Sequence, residues 1–138
     1  MRRAPLVILS LCLAAACQLD SRDQVLATGN TQVAQRAIST RVFDTPDKNV
    51  VFRASLATLQ DLGFVIDRAD DVLGTVTATR AAGAIIRFTV TVRAASGGRT
   101  LVRASGQHNL DALTDALPFQ RFYSAMEQSL FLTANQVD

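Results

Sequence analysis

The sequence predicts an α+β domain: a two-layer sandwich in which an antiparallel sheet of about four to five strands is covered by two helices, in the order β-α-β-β-β-β-α. Three observations predict it. Residues 46–62 and 118–135 carry apolar side chains at helical spacing. Residues 75–80, 84–95 and 100–110 alternate apolar and polar side chains with a period of two. Such alternation belongs to antiparallel strands with one face packed and one solvated, and two amphipathic helices suffice to cover the packed face.

The elements follow in order. Residues 36–45, "RAISTRVFDT", form a first strand with Ile38, Thr40 and Val42 on one face. In the next stretch Thr45 suits an N-cap, Pro46 the first helical position and Asp47 the first turn. Phe52, Leu56, Leu59 and Leu62 make one apolar face, with Arg53, Gln60 and Asp61 opposite, and Gly63 suits the left-handed position that ends a helix. A short strand, Phe64 to Ala69, leads through the turn "RADDVLG" to "TVTATR", which sets Val76 and Ala78 against Thr75, Thr77 and Thr79. In "AIIRFTVTVRAA" Ile86, Phe88, Val90 and Val92 face one way, and Arg87, Thr89, Thr91 and Arg93 the other. "SGGR" closes a hairpin. The following strand points Val102 and Ala104 inward and Arg103, Ser105 and Gln107 outward. After the link "DALTDAL", a second helix from Pro118 to near Asn135 presents Phe119, Phe122, Met126, Leu130 and Thr133, with Tyr123 beside them. The inward strand residues Val76, Ala78, Val102, Ala104 and Gly106 are small. They either leave a cavity or admit Phe52 and Phe122.

The N-terminus carries an address. Arg2 and Arg3 precede a run from Ala4 to Cys17 that only Ser10 interrupts, the layout of a secretory signal peptide. The run is shorter than the ~20 apolar residues a spanning helix needs. Ala14, Ala15 and Ala16 directly before Cys17 resemble the lipobox of bacterial lipoproteins, with Ala14 where that family usually has leucine. The resemblance implies removal of residues 1–16, a diacylglycerol on the Cys17 sulfur and attachment to the membrane through that lipid. The same residues also suit an ordinary signal peptide cleaved after A-x-A, with an incidental cysteine. Gln18, in place of the aspartate that resembles an inner-membrane retention signal, points to the outer membrane of a diderm bacterium, and the orientation expected there is toward the periplasm, with surface exposure the alternative. On this reading 1–16 is signal peptide, 17–35 the lipidated cysteine and a polar tether, and 36–138 the globular domain.

Charge and composition exclude several functions. Of 14 basic residues, Arg2 and Arg3 fall within residues 1–16 and no acid does, so 12 basic residues face 12 acidic ones beyond the signal. A neutral chain argues against general nucleic-acid binding. Cys12 and Cys17 are the two cysteines, and His108 is the one histidine. No disulfide, transition-metal site or cofactor is expected. Asp67, Asp70 and Asp71 lack calcium-loop spacing and read as a polar turn. His108 and Ser105 sit in no nucleophile motif.

The helix, glycine stop, strand, acidic turn and strand in "LATLQDLGFVIDRADDVLGTVTATR", with the aromatic helix "PFQRFYSAMEQSLFL", resemble helix-grip domains of small envelope lipoproteins. The accessory C subunit of the outer-membrane β-barrel assembly machine is similar in layout, and the lipopolysaccharide-assembly lipoprotein E more loosely so. The likeness implies a membrane-tethered adaptor, not an enzyme, that docks on an envelope protein complex. The candidate partner surface is Arg87, Arg93 and Arg103 on the outward sheet face, interleaved with hydroxyls suited to acidic groups, together with Phe131 on the polar side of the last helix. The same residues also read as a plain solvated sheet face, rich in threonine as a good strand former, and an aromatic that tucks under the tether. The alternative is a periplasmic module that encloses a lipid or small ligand between helix and sheet.

Overall fold

The computed structural model describes residues 31–135. Residues 1–16, read above as a signal peptide, Cys17 and the stretch 18–30 lie outside the described residues. The chain divides into two units between Gln35 and Arg36, and the sheet and both long helices belong to the second. That unit runs β1 (Thr40–Phe43), α1 (Lys48–Asp61), β2 (Val65–Asp70), β3 (Thr75–Ala82), β4 (Ala84–Ala95), β5 (Arg99–His108), β6 (Asp111–Ala112) and α2 (Ala116–Asn135). The sheet order is β1-β5-β4-β3-β2, with β6 also on β5, and every pair is antiparallel. Both helices lie against one face. This is the one-sided α+β arrangement the alternation predicts.

Local chemistry moves several boundaries. Residues 31–39 are helical, where the sequence reading has a tether to residue 35 and a strand from 36. Ala34, Gln35, Arg36 and Ala37 favour a helix, and Ile38 packs against the core from it. The N-cap of α1 is Asp47 rather than Thr45, because one Asp47 carboxylate oxygen accepts from the backbone N–H groups of both Asn49 (2.9 Å) and Val50 (3.1 Å). The carbonyl of Thr45 serves instead as acceptor for the buried Thr100 hydroxyl at 2.7 Å. At the other end Phe64 N–H donates to Leu59 and Gly63 N–H to Gln60, both at 2.9 Å. Gly63 takes φ +81° to close this paired C-cap, as its position predicts. The link after β5 is not a plain connection. Residues 111–112 pair back onto β5, and Leu113 N–H donates to Gly106. Helix α2 starts at Ala116, two residues before Pro118, because Asp115 accepts from the Leu117 N–H at 3.0 Å. Thr133 is exposed, off the apolar stripe where its spacing puts it, and its hydroxyl donates to the Ser129 carbonyl.

The core is organised around one rung of the sheet. Ile66, Ala78, Phe88 and Gly106 are cross-strand partners in succession across β2, β3, β4 and β5. Ala78 and Gly106 leave the Phe88 ring standing between two small residues. Phe64, Phe119 and Phe122 converge on it with ring centroids 5.4, 5.3 and 6.0 Å away. Such tilted contacts add to the apolar area that aromatic rings bury. The small inward positions therefore admit aromatic rings, chiefly Phe88, Phe119 and Phe122, while Phe52 is buried on α1. The buried face of α1 is broader than its leucines suggest and includes Val51, Ser55 and Thr58. Ser55 donates to the Val51 carbonyl at 2.9 Å and meets the Met126 sulfur at 3.7 Å, which joins the two helices.

A methyl at Gly106 would stand 2.7 Å from Leu113 Cδ2 and 3.1 Å from the Phe88 ring edge. Gly106→Ala is expected to cost about 1–3 kcal/mol through overpacking, read as a lower urea midpoint.

Tyr123 ties α2 to the edge of the sheet. Its buried hydroxyl lies 2.7 Å from the Ser39 carbonyl and 3.2 Å from that of Val102, so one proton serves two acceptors. Arg41 stacks over the ring at 5.2 Å. Burial pushes the phenol well above its ordinary value, against the smaller opposing pull of a backbone hydrogen bond at Ala104 and the charges of Arg41 and Arg103. The folded state thus keeps this proton to higher pH than the unfolded chain does. Stability is full below the unfolded value of about 10 and falls as pH rises beyond it. Tyr123 is the one tyrosine, and all but one of the 14 cations are arginines that stay charged. Denaturation curves from about pH 9 to about pH 11 should lose up to about 1.4 kcal/mol per pH unit above the phenol's unfolded pKa. Tyr123→Phe should lack most of that slope and be about 1–2 kcal/mol less stable at neutral pH.

Candidate functional site

Register places Arg87, Arg93 and Arg103 together on the sheet face away from the helices. Arg103 is opposite Thr91, Arg93 opposite Leu101, and Arg87 between Thr79 and Gln107. Arg93 and Arg103 are diagonal neighbours, and Arg87 lies two rungs further along. Arg68 on β2 joins the same face opposite Thr77. All four guanidinium side chains are exposed, and none forms an ion pair among the described residues. Hydroxyls fill the space between them: Thr77 and Thr89 meet at 3.4 Å, and Ser105 donates to the Thr89 carbonyl at 3.5 Å. The acids of this face lie at its β2 edge, where Asp67 accepts from Thr79 at 2.6 Å and Asp70 accepts from the Leu73 N–H in the turn. The surface is thus a hydroxyl-lined cation platform whose charges form no ion pairs among the described residues.

Phe131 stands 68% exposed on the last turns of α2, next to the exposed Leu132. With Phe43, Val50 and Leu130 it lines a concavity of about 650 Å³ that is open to solvent. It lies at the end of the layer interface, not on the arginine platform, so the sequence-predicted partner residues form two surfaces rather than one.

Sequence reasoning passes over a third feature. Between the C-terminal end of α1, the start of β2 and the first turn of α2 lies a cavity of about 60 Å³. Leu59, Leu62, Phe64, Ile86 and Phe88 form its apolar wall, Leu117 and Pro118 its rim, and Arg80 and Arg121 its cationic members. Arg80 occupies an inward position on β3, paired with Ile86. Its guanidinium stacks over Phe64 at 4.9 Å and donates through Nη1 to the Leu62 carbonyl at 3.1 Å, which places a cation on the C-terminal end of α1. The Arg80 Nε–H is buried and has no hydrogen-bond partner. A signal for it was present in the sequence: after Thr75-Val76-Thr77-Ala78-Thr79, the next inward position is an arginine.

His108 is exposed at the end of β5, paired with Ile86 and Asp111. Among the described residues no three His, Cys, Asp or Glu side chains gather in metal-binding proximity, and no helix is long and apolar enough to cross a membrane. No protein-family model and no curated protein sequence matches the chain.

Because the platform arginines are exposed and make no ion pairs, replacing Arg87, Arg93 and Arg103 together with glutamine should change stability by no more than about 0.5 kcal/mol per site in urea titrations. A substantially larger loss would make them structural parts of the sheet instead of free recognition groups.

Proposed function

We propose that this protein is a lipid-anchored adaptor of a bacterial cell envelope, held by an acylated Cys17 at the periplasmic side of the outer membrane. Its globular domain docks on an envelope protein complex as an assembly or stabilising subunit and carries out no reaction of its own. The observation that supports this most is the asymmetry of the sheet. One face is sealed by two helices, while the other is covered by neither of them and, among the described residues, presents Arg68, Arg87, Arg93 and Arg103 without acidic partners. An arginine and hydroxyl surface is suited to acidic patches of a protein partner. The cavity between the layers holds about 60 Å³, against the ~300–1,000 Å³ of small-molecule pockets. The second reading, a lipid or small-ligand module, draws on the open apolar concavity at Phe43 and Phe131, whose volume lies within that range.

Cross-linking of the full-length protein in native envelopes, beside Cys17→Ala, tests both. The expected outcome is membrane attachment and a defined protein partner for the wild type, and release from the membrane for Cys17→Ala. Recovery of the protein alone with a co-purifying lipid in its mass spectrum favours the ligand module. Unchanged membrane attachment of Cys17→Ala removes the lipid anchor from the reading.

A further inference from the structure

The cavity beside Arg80 has a chemistry that the arginine platform lacks: an apolar slot with two cations at its edge and no acid in its lining. Arg80 is held in place by its stack on Phe64 and by the bond from Nη1 to Leu62. Stacking engages the face of a guanidinium and leaves its edge for in-plane hydrogen bonds. The edge formed by Nε and Nη2 is the fork that takes a carboxylate side-on. In Arg80 the Nε–H is buried without a partner, and the one hydrogen bond of the guanidinium among the described residues is that of Nη1. Arg121, exposed on the first turns of α2, supplies a second cation that forms no ion pair among the described residues.

The size of the slot restricts what enters. At about 60 Å³ it is well below the ~150 Å³ apolar cavity that holds a benzene ring. A whole acyl chain does not fit, but the end of one aliphatic side chain does. A short apolar group with an acidic group a few atoms away matches this lining. A polypeptide ending in leucine, isoleucine or valine carries both on one Cα, and its α-amino nitrogen is an uncharged amide. A free amino acid would instead bring an ammonium group toward Arg80 and Arg121. We propose that this slot captures the free C-terminus of a partner protein, with the last aliphatic side chain between Leu59, Ile86 and Phe88 and the terminal carboxylate on Arg80 and Arg121. The inference rests on the adaptor reading and gives one partner contact its chemistry.

The test uses purified full-length protein in detergent micelles and fluorescent hexapeptides of sequence Gly-Ser-Gly-Ser-Gly-X, read by polarisation. With X as leucine, isoleucine or valine and a free carboxylate, binding is expected. Amidation of that carboxylate should weaken it roughly tenfold or more, the scale of a lost charge-assisted contact. Arg121→Gln, at an exposed position, should weaken the free-acid peptide similarly and the amide little. Arg80→Gln should do the same if it folds. Ile86→Phe fills the slot while keeping both arginines, so it should abolish the preference for aliphatic over glycine termini. Equal binding of acid and amide, or wild-type affinity in both Arg121→Gln and Ile86→Phe, overturns the proposal. So does 4-methylvalerate competing as well per molecule as the peptide itself, which would assign the slot to a small acid. Cross-linking in envelopes separates this failure from that of the adaptor reading. A partner captured equally by wild type and Ile86→Phe leaves the adaptor standing without this contact, whereas no partner for wild type removes the adaptor itself.

Discussion

The domain depends on a packing constraint at Phe88. A large ring on the central strand needs room on both sides, and its cross-strand neighbours, Ala78 and Gly106, leave that room. Three further rings then reach it, Phe64 from the turn after α1 and Phe119 and Phe122 from α2. This one contact network fixes the seat of α2 on the sheet and draws in the exit of α1. It also explains Leu113, which closes over Gly106 and brings the two-residue β6 onto β5. With no disulfide available to the domain, cohesion comes from this interior and from the hydrogen bonds that fasten its margins.

Those margins show a common device. Tyr123 reaches the carbonyls of Ser39 and Val102, Thr100 reaches Thr45, and Lys48 donates to the carbonyls of Asp71 and Val72. Each polar side chain satisfies backbone acceptors, at Ser39, Thr45, Asp71 and Val72 where the chain passes between elements and at Val102 within β5, and each joins segments distant in sequence. Arginines serve the same end with aromatic support, Arg41 on Tyr123 and Arg80 on Phe64. The domain thus uses two classes of arginine. Those at inward positions stack on rings at the edge of the core, and those at outward positions stand in solvent.

Much of this was legible because strand period and burial are coupled. Arg87 and Arg93 share the parity of Thr89 and Thr91, and Arg103 that of Ser105 and Gln107, so one packed face sends all three to the other side. Arg80 carried the opposite parity and marked itself as unusual, yet parity alone does not say which ring it meets. Phe131 fell off the apolar stripe of its helix, and it is exposed for that reason. Strand β1 was harder to read, because Ile38 has the parity of Thr40 and Val42 and the three were expected on one face. Ile38 instead packs against the core from a helical turn, while Thr40 and Val42 pair with Arg103 and Leu101 on the outward face and Phe43 is the inward apolar residue of the strand.

The sequence by itself determined the class of fold, the strand order along the chain, the two faces of the sheet and the glycine stop of α1, since periodicity and backbone stereochemistry are local properties. Tertiary structure alone decided the spatial order β1-β5-β4-β3-β2, the pairing of β6 and the meeting of Arg80, Arg121 and the apolar slot. The β1–β5 pairing and the slot join residues tens of positions apart, and even the short turn of β6 back onto β5 depends on Leu113 closing over Gly106. Their proximity follows from how Phe88 collects its neighbours, a matter of volume and shape that no single segment contains.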